Sequence, residues 1–127
     1  KVSFEELIST SDIITLHSKG NIDSNKLLTY ENFKNMKPTC ILINTARGTM
    51  FDENDLNLAL NNNLISKAAL DVYSSEPAKS NILFNNPKVI LTPHIAASTV
   101  EAQTNVAKMI AEQISNYLTK NIKINTV

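Results

Sequence analysis

The chain switches repeatedly between two hydrophobic periods, and that alternation restricts its fold more than any other feature. Asp12-Ile13-Ile14-Thr15-Leu16-His17, Cys40-Ile41-Leu42-Ile43-Asn44 and Val89-Ile90-Leu91 are short, β-branched or continuously apolar, and read as strands, as does the run 65–72. Stretches of helical spacing separate them. Residues 4–8 read as a short helical turn, and 25–37 places Leu27, Leu28, Phe33 and Met36 at roughly helical intervals before Pro38 stops the run. Asp52-Glu53-Asn54-Asp55 offers an N-cap and first-turn acids to a helix through Leu56, Leu60 and Asn62. The stretch 74–87, with Glu-Pro and Asn-Asn-Pro, reads as a long loop. A long terminal helix over about 98–120 begins at Ser98 or Thr99 and carries Ala102, Val106, Met109, Ile110, Ile114, Tyr117 and Leu118 on one apolar face. That face is expected to pack on the sheet or against an absent first half of the domain, with subunit contact as the other reading. Short strands alternating with helices call for parallel pairing through right-handed crossovers, so the expected fold is α/β, a three-layer doubly wound parallel sheet.

At 127 residues, 43% of them hydrophobic, the chain is long enough for one modest core. Twelve basic and twelve acidic residues cancel, leaving no field to hold nucleic acid or an anionic membrane. Small molecules or protein are the expected partners. The single Cys40 lies in an apolar run and has no internal disulfide partner, which fits a buried thiol in a reducing compartment. No apolar stretch approaches a membrane span, the first residues lack a signal-peptide pattern, and a cytoplasmic location is the expectation.

Parallel sheets gather their chemistry at the carboxyl ends of the strands. His17, Thr45-Ala46-Arg47, Asp71 and His94 all stand at or just past such ends. A guanidinium at Arg47 can grip a carboxylate through two parallel hydrogen bonds, and Gly48 beside it permits a tight turn and keeps side-chain bulk away. Each residue also has a plainer reading: Arg47 as a surface cation, Glu76 as a solvated loop acid, His94 as a core imidazole. Their occurrence in successive connections favours one shared site.

Ser11-Asp12-Ile13-Ile14-Thr15-Leu16-His17, Ile43-Asn44-Thr45-Ala46-Arg47-Gly48, Ala69-Leu70-Asp71-Val72-Tyr73 with Glu76-Pro77, and Thr92-Pro93-His94-Ile95 together resemble the nicotinamide half of the D-isomer-specific 2-hydroxyacid dehydrogenases, a Rossmann-like fold. His94-Ile95-Ala96-Ala97-Ser98-Thr99 with Glu101-Ala102-Gln103 resembles the phosphoglycerate-oxidising branch of that family. The resemblance implies catalytic roles for Arg47, Glu76 and His94. Arg47 holds the substrate carboxylate, His94 exchanges the hydroxyl proton, and Glu76 sets the imidazole tautomer and favours its protonated form. It further implies that His17, Thr45, Ala46, Arg47, Asp71, His94, Ala96 and Ala97 line the cofactor, NAD, with a 2-hydroxy or 2-oxo acid as substrate. No metal, nucleic acid or membrane is implied, and a homo-oligomer is.

Two departures stand out. Ser18-Lys19-Gly20 follow His17 where the family continues with a small apolar residue and Pro. A dinucleotide fold also opens on a Gly-rich turn that cradles the pyrophosphate, and with only Gly20 and Gly48 these residues offer none. The expectation is therefore an incomplete sheet: residues 1–127 as the carboxyl-terminal part of a cofactor domain whose first, Gly-rich βαβ half is absent. Other readings are a different substrate of the same family, of the glyoxylate or hydroxypyruvate type, an NAD-sensing corepressor-like scaffold, or a plain α/β domain in which Arg, Glu and His are incidental. The amide that formate dehydrogenases carry at the Glu76 position and the aromatics that follow the His in many D-lactate dehydrogenases are both missing here.

Overall fold

The computed structural model describes residues 1–19 and 26–125. Gly20 and Asn25, the latter at the expected start of the second helix, lie outside the described residues. The chain divides into two compact units, Lys1–His94 and Ile95–Val127.

The first unit is built on four parallel strands, β1 (Ile13–Leu16), β2 (Ile41–Asn44), β3 (Lys67–Leu70) and β4 (Val89–Leu91), in the spatial order β1-β2-β3-β4. Their register aligns Leu16, Asn44, Leu70 and Leu91 in one row. Residues 17, 45, 71 and 92 therefore leave the sheet along a single rim, as the doubly wound reading requires.

Each connection steps one strand further in the same direction, and right-handed crossovers then carry every one over the same face. Burial follows this winding. Ile14, Leu16, Leu42, Ala68 and Leu70 point into the core, joined there by Ile8, Phe33, Met36, Leu56, Leu60 and Ile65. The rings of Phe33 and Phe51 meet edge to face with centroids 6.5 Å apart. The opposite face is open: Ile13 and Ile90 are 60% and 70% exposed, with Ile41 and Ile43 half-buried between them. Cys40 is buried as expected, and burial pushes its thiol pKa up.

Helix α1 (Phe4–Thr10) starts at Ser3, whose hydroxyl accepts from the Glu6 amide. Helix α2 spans only Tyr30–Lys34, shorter than its apolar spacing predicts. Leu27 and Leu28 instead donate their amides to the Met50 carbonyl, and Leu28 bridges Phe51 as extended chain. Thr29 then caps the helix, its amide donating to the Asn32 side chain. Helix α3 (Glu53–Asn61) begins at Asp52 as the sequence indicates, and the Asn54 amide and side chain hold the Asp52 carboxyl below its ordinary pKa. The regular part of β3 is also shorter than the run 65–72.

The second unit is dominated by helix α4 (Val100–Lys120), capped by the Thr99 hydroxyl and closed by Asn121 in the left-handed region. None of its residues is buried. Its apolar face, from Val106 to Leu118, is about half exposed or more.

Candidate active site

Three connections at the carboxyl rim carry the candidate residues. The first follows β2. Asn44, fully buried, accepts from the Ala46 amide at 3.0 Å and donates its side-chain amide to the Arg47 carbonyl at 2.9 Å, folding Thr45-Ala46-Arg47 into a closed turn. Arg47 is exposed, and its Nη1 donates to the Ala46 carbonyl at 2.6 Å. Gly48 opens a single 3-10 turn, Gly48–Met50. Glycine is required there by close approach: a Cβ would lie 2.5 Å from the Ser74 amide nitrogen and closer still to the Tyr73 carbonyl. The bulk excluded by Gly48 is thus the chain's own next connection.

That connection leaves β3 at Asp71, a buried carboxylate whose Oδ1 accepts from the Thr92 hydroxyl at 2.5 Å. Ser74 is gripped by Glu53 of α3, its amide donating to Oε1 at 2.8 Å and its hydroxyl to Oε2 at 2.7 Å. The chain then turns at Glu76, where the bond to Pro77 is cis. The third connection runs from β4 through Thr92 and Pro93 to His94. There the His94 amide donates to the Thr92 carbonyl at 3.1 Å, and His94 adopts a left-handed backbone with φ of 56°. Non-glycine residues hold such conformations at a cost of about 1–3 kcal/mol, and they concentrate at functional sites.

Glu76 and His94 meet. Glu76 Oε2 lies 2.5 Å from His94 Nδ1, with the imidazole half exposed and the carboxylate about one-third exposed. The His94 contact, reinforced by a hydrogen bond from the Tyr73 amide, holds the Glu76 carboxyl below its ordinary pKa. With Nδ1 committed to the carboxylate, Nε2 is the ring nitrogen turned away from it. The pair borders a cavity of about 530 Å³ walled by Tyr73, Phe84, Leu91 and Thr92.

The remaining candidates divide. His17, Thr45, Ala46 and Arg47 line a separate polar depression of about 250 Å³ together with Ser18 and Lys19. His17 Nε2 lies 2.9 Å from the Thr15 hydroxyl. Ala96 and Ala97 belong to the second unit, where the Ala97 carbonyl accepts from the Gln103 side chain. The sequence reading passed over Asn44, Glu53, Tyr73 and Thr92 as framework. An Asn at a strand end just before a turn is the one signal among them that turn chemistry makes readable.

The depression beside Arg47 is open, polar and flanked by Lys19 and His17, which suits the polar nicotinamide half of a dinucleotide. A pyrophosphate cradle is not formed by the described residues, since Gly48 is turned against Tyr73.

The family described as D-isomer specific 2-hydroxyacid dehydrogenase, NAD binding domain, matches residues 1–96. The chain is 36% identical over 126 residues to 4-methyl-2-oxopentanoate reductase A of Aspergillus oryzae, spanning 99% of this chain and 38% of that protein. It is 43% identical over 115 residues to D-3-phosphoglycerate dehydrogenase of Bacillus subtilis, spanning 91% of this chain and 22% of that one. The crystal structure of a glyoxylate reductase from Paecilomyes thermophila superposes with a TM-score of 0.81 at 32% identity, covering 97% of this chain and 38% of the other. The chain thus spans well under half the length of these relatives.

Proposed function

The chain belongs to the D-isomer specific 2-hydroxyacid dehydrogenase family, matching its NAD-binding domain, and on that basis we propose that it supplies the proton-transfer and carboxylate-binding half of an enzyme that interconverts a D-2-hydroxy acid and its 2-oxo acid. The observation that carries the reading is the 2.5 Å Glu76–His94 contact on the rim that also bears Arg47.

In this reading Arg47, released from the Ala46 carbonyl, takes the substrate carboxylate through two hydrogen bonds and fixes the plane of the neighbouring carbon. His94 Nε2 faces the hydroxyl and removes its proton as the C–O bond becomes a carbonyl. In the reverse direction the imidazolium returns that proton to the carbonyl oxygen. Glu76 holds Nδ1–H throughout, which presents Nε2 as the acceptor and stabilises the positive ring after transfer. NAD, when bound, supplies the hydride acceptor and, in its reduced form, the donor. His17, Thr45, Ala46, Arg47 and Asp71 are the residues of the first unit that would hold its nicotinamide end. With no pyrophosphate cradle formed by the described residues, the chain alone is expected to bind NAD weakly and turn over little. Tight saturable NAD binding by the purified chain, at low micromolar concentration or below, would contradict this.

Among substrates we favour 3-phosphoglycerate, because the match to the Bacillus subtilis phosphoglycerate enzyme is higher in identity than those to the 4-methyl-2-oxopentanoate and glyoxylate reductases. A place in serine biosynthesis and a homo-oligomeric state accompany that choice. The test is NADH formation by the longer enzyme carrying this chain, with 3-phosphoglycerate, glycolate and 2-hydroxy-4-methylpentanoate compared. His94→Ala is expected to lower kcat roughly 10²–10⁴-fold with folding intact. Unchanged turnover in that variant would remove His94 from the chemistry.

A further inference from the structure

We propose that Tyr73 is a positioning residue that holds the three site connections in one register, an assignment that rests on the dehydrogenase reading of Arg47, Glu76 and His94. Its backbone N–H donates to Glu76 Oε1 at 2.9 Å, which orients the carboxylate so that Oε2 meets the imidazole. Its hydroxyl donates to the Thr92 carbonyl at 2.9 Å, the same oxygen that receives the His94 amide. Its own carbonyl lies against Gly48, immediately after Arg47. One residue therefore touches the connection bearing each of the three site residues.

The surroundings explain why a tyrosine serves here. The ring is buried and meets Phe84 edge to face, with centroids 6.1 Å apart, so it cannot swing without breaking that packing. A buried phenol needs a partner for its hydroxyl, and the Thr92 carbonyl is the partner found. That carbonyl heads the turn that forces His94 into the left-handed region, a conformation that persists only where neighbouring contacts over-determine it. Thr92 is held from the other side as well, its amide donating to the Leu70 carbonyl and its hydroxyl to Asp71. Removing the phenol takes one of two donors from the Thr92 carbonyl and leaves it the weaker i to i−2 contact from His94. Phenylalanine would fill the same space and keep both backbone contacts of residue 73, so Tyr73→Phe isolates the hydroxyl.

The experiment compares the wild-type chain with Tyr73→Phe and with Ile65→Val, a loosening of the core at a residue outside all three connections. The readout is the exchange with water of the His94 Nδ1 proton, observed by NMR as the downfield signal of the pair with Glu76. Tyr73→Phe is expected to raise that exchange about five-fold, the factor carried by one net hydrogen bond, while Ile65→Val leaves it unchanged. In the longer enzyme, Tyr73→Phe lowers kcat by a similar factor without raising KM for the hydroxy acid, because the Arg47 turn is untouched. Exchange within about two-fold of wild type, or an equal rise in Ile65→Val, overturns the assignment. The Glu76–His94 pair exists in the chain whatever reaction it serves, so a flat exchange result rejects the role of Tyr73 and leaves the dehydrogenase reading to its own test at His94.

Discussion

Replacing Gly48 with alanine inserts one methyl group where two connections touch. A Cβ at that position would sit 2.5 Å from the Ser74 nitrogen and nearer still to the Tyr73 carbonyl carbon and oxygen. All three are backbone atoms, so no rotamer change relieves the clash, and one connection has to move away from the other. Forced overpacking of this kind costs about 1–3 kcal/mol. The movement also strains the hydrogen bonds that anchor the displaced segment, from the Tyr73 amide to Glu76 and from the Ser74 amide and hydroxyl to Glu53. Losing two of these adds about 2 kcal/mol, giving roughly 3–5 kcal/mol in all. For a unit of this size that is a fall in Tm of roughly 10 °C or more. Urea and thermal unfolding followed by circular dichroism measure the loss, and the downfield imidazole proton of His94 reports whether the site goes with it. A Gly48→Ala chain within about 1 kcal/mol of wild type, its imidazole signal unchanged, would show that the two connections are not in contact as described.

Three further outcomes are expected. The Glu76 carboxyl, held down first by His94 and then by the Tyr73 amide, should titrate below the ordinary value of 4.5 in a carbon-13 NMR titration. Because its folded pKa is the lower one, the pair stabilises the chain above the unfolded value and loses that contribution as pH falls through the folded value; a midpoint at or above 4.5 contradicts the contact. Asn44→Ala leaves the Ala46 amide unpaired and takes one of two donors from the Arg47 carbonyl, which keeps the Met50 amide, at a cost of about 1–3 kcal/mol in urea unfolding, and a near-neutral result would mean the turn closes without the side chain. Thr92→Val keeps the shape of the side chain but removes the donor to buried Asp71, and should cost about 1–3 kcal/mol at neutral pH by the same measurement, against no change if the hydroxyl is idle.

Strands β1, β2 and β4 were legible because each is a β-branched or continuously apolar run bounded by polar or turn-forming residues, whereas β3 opens on Lys67 and carries two alanines, and the parallel order followed from the helices between them. The second helix was misjudged. Leu27 and Leu28 have helical spacing to Phe33 and Met36, yet their amides are taken by the Met50 carbonyl, a tertiary bond that no local period announces. The rim placement of Arg47, Asp71 and His94 was readable for the same reason as the strands, since each follows one directly. The Glu76–His94 contact is made with His94 in a left-handed turn, a conformation that residue types permit without dictating. Glu53 illustrates a further limit. Its sequence context marks it as a first-turn helix acid, whereas its carboxylate reaches across to the loop after β3.

The one-directional strand order has a consequence for assembly. Every strand pairs first with the strand made just before it, so no pairing waits for a distant segment and no strand is inserted between two others. A sheet of this kind can lengthen like a fence, each new post set beside the last as the polypeptide emerges, with each closure spanning a single crossover. The proton-handling pair is then the final fixture, completed only when the chain has passed Pro93.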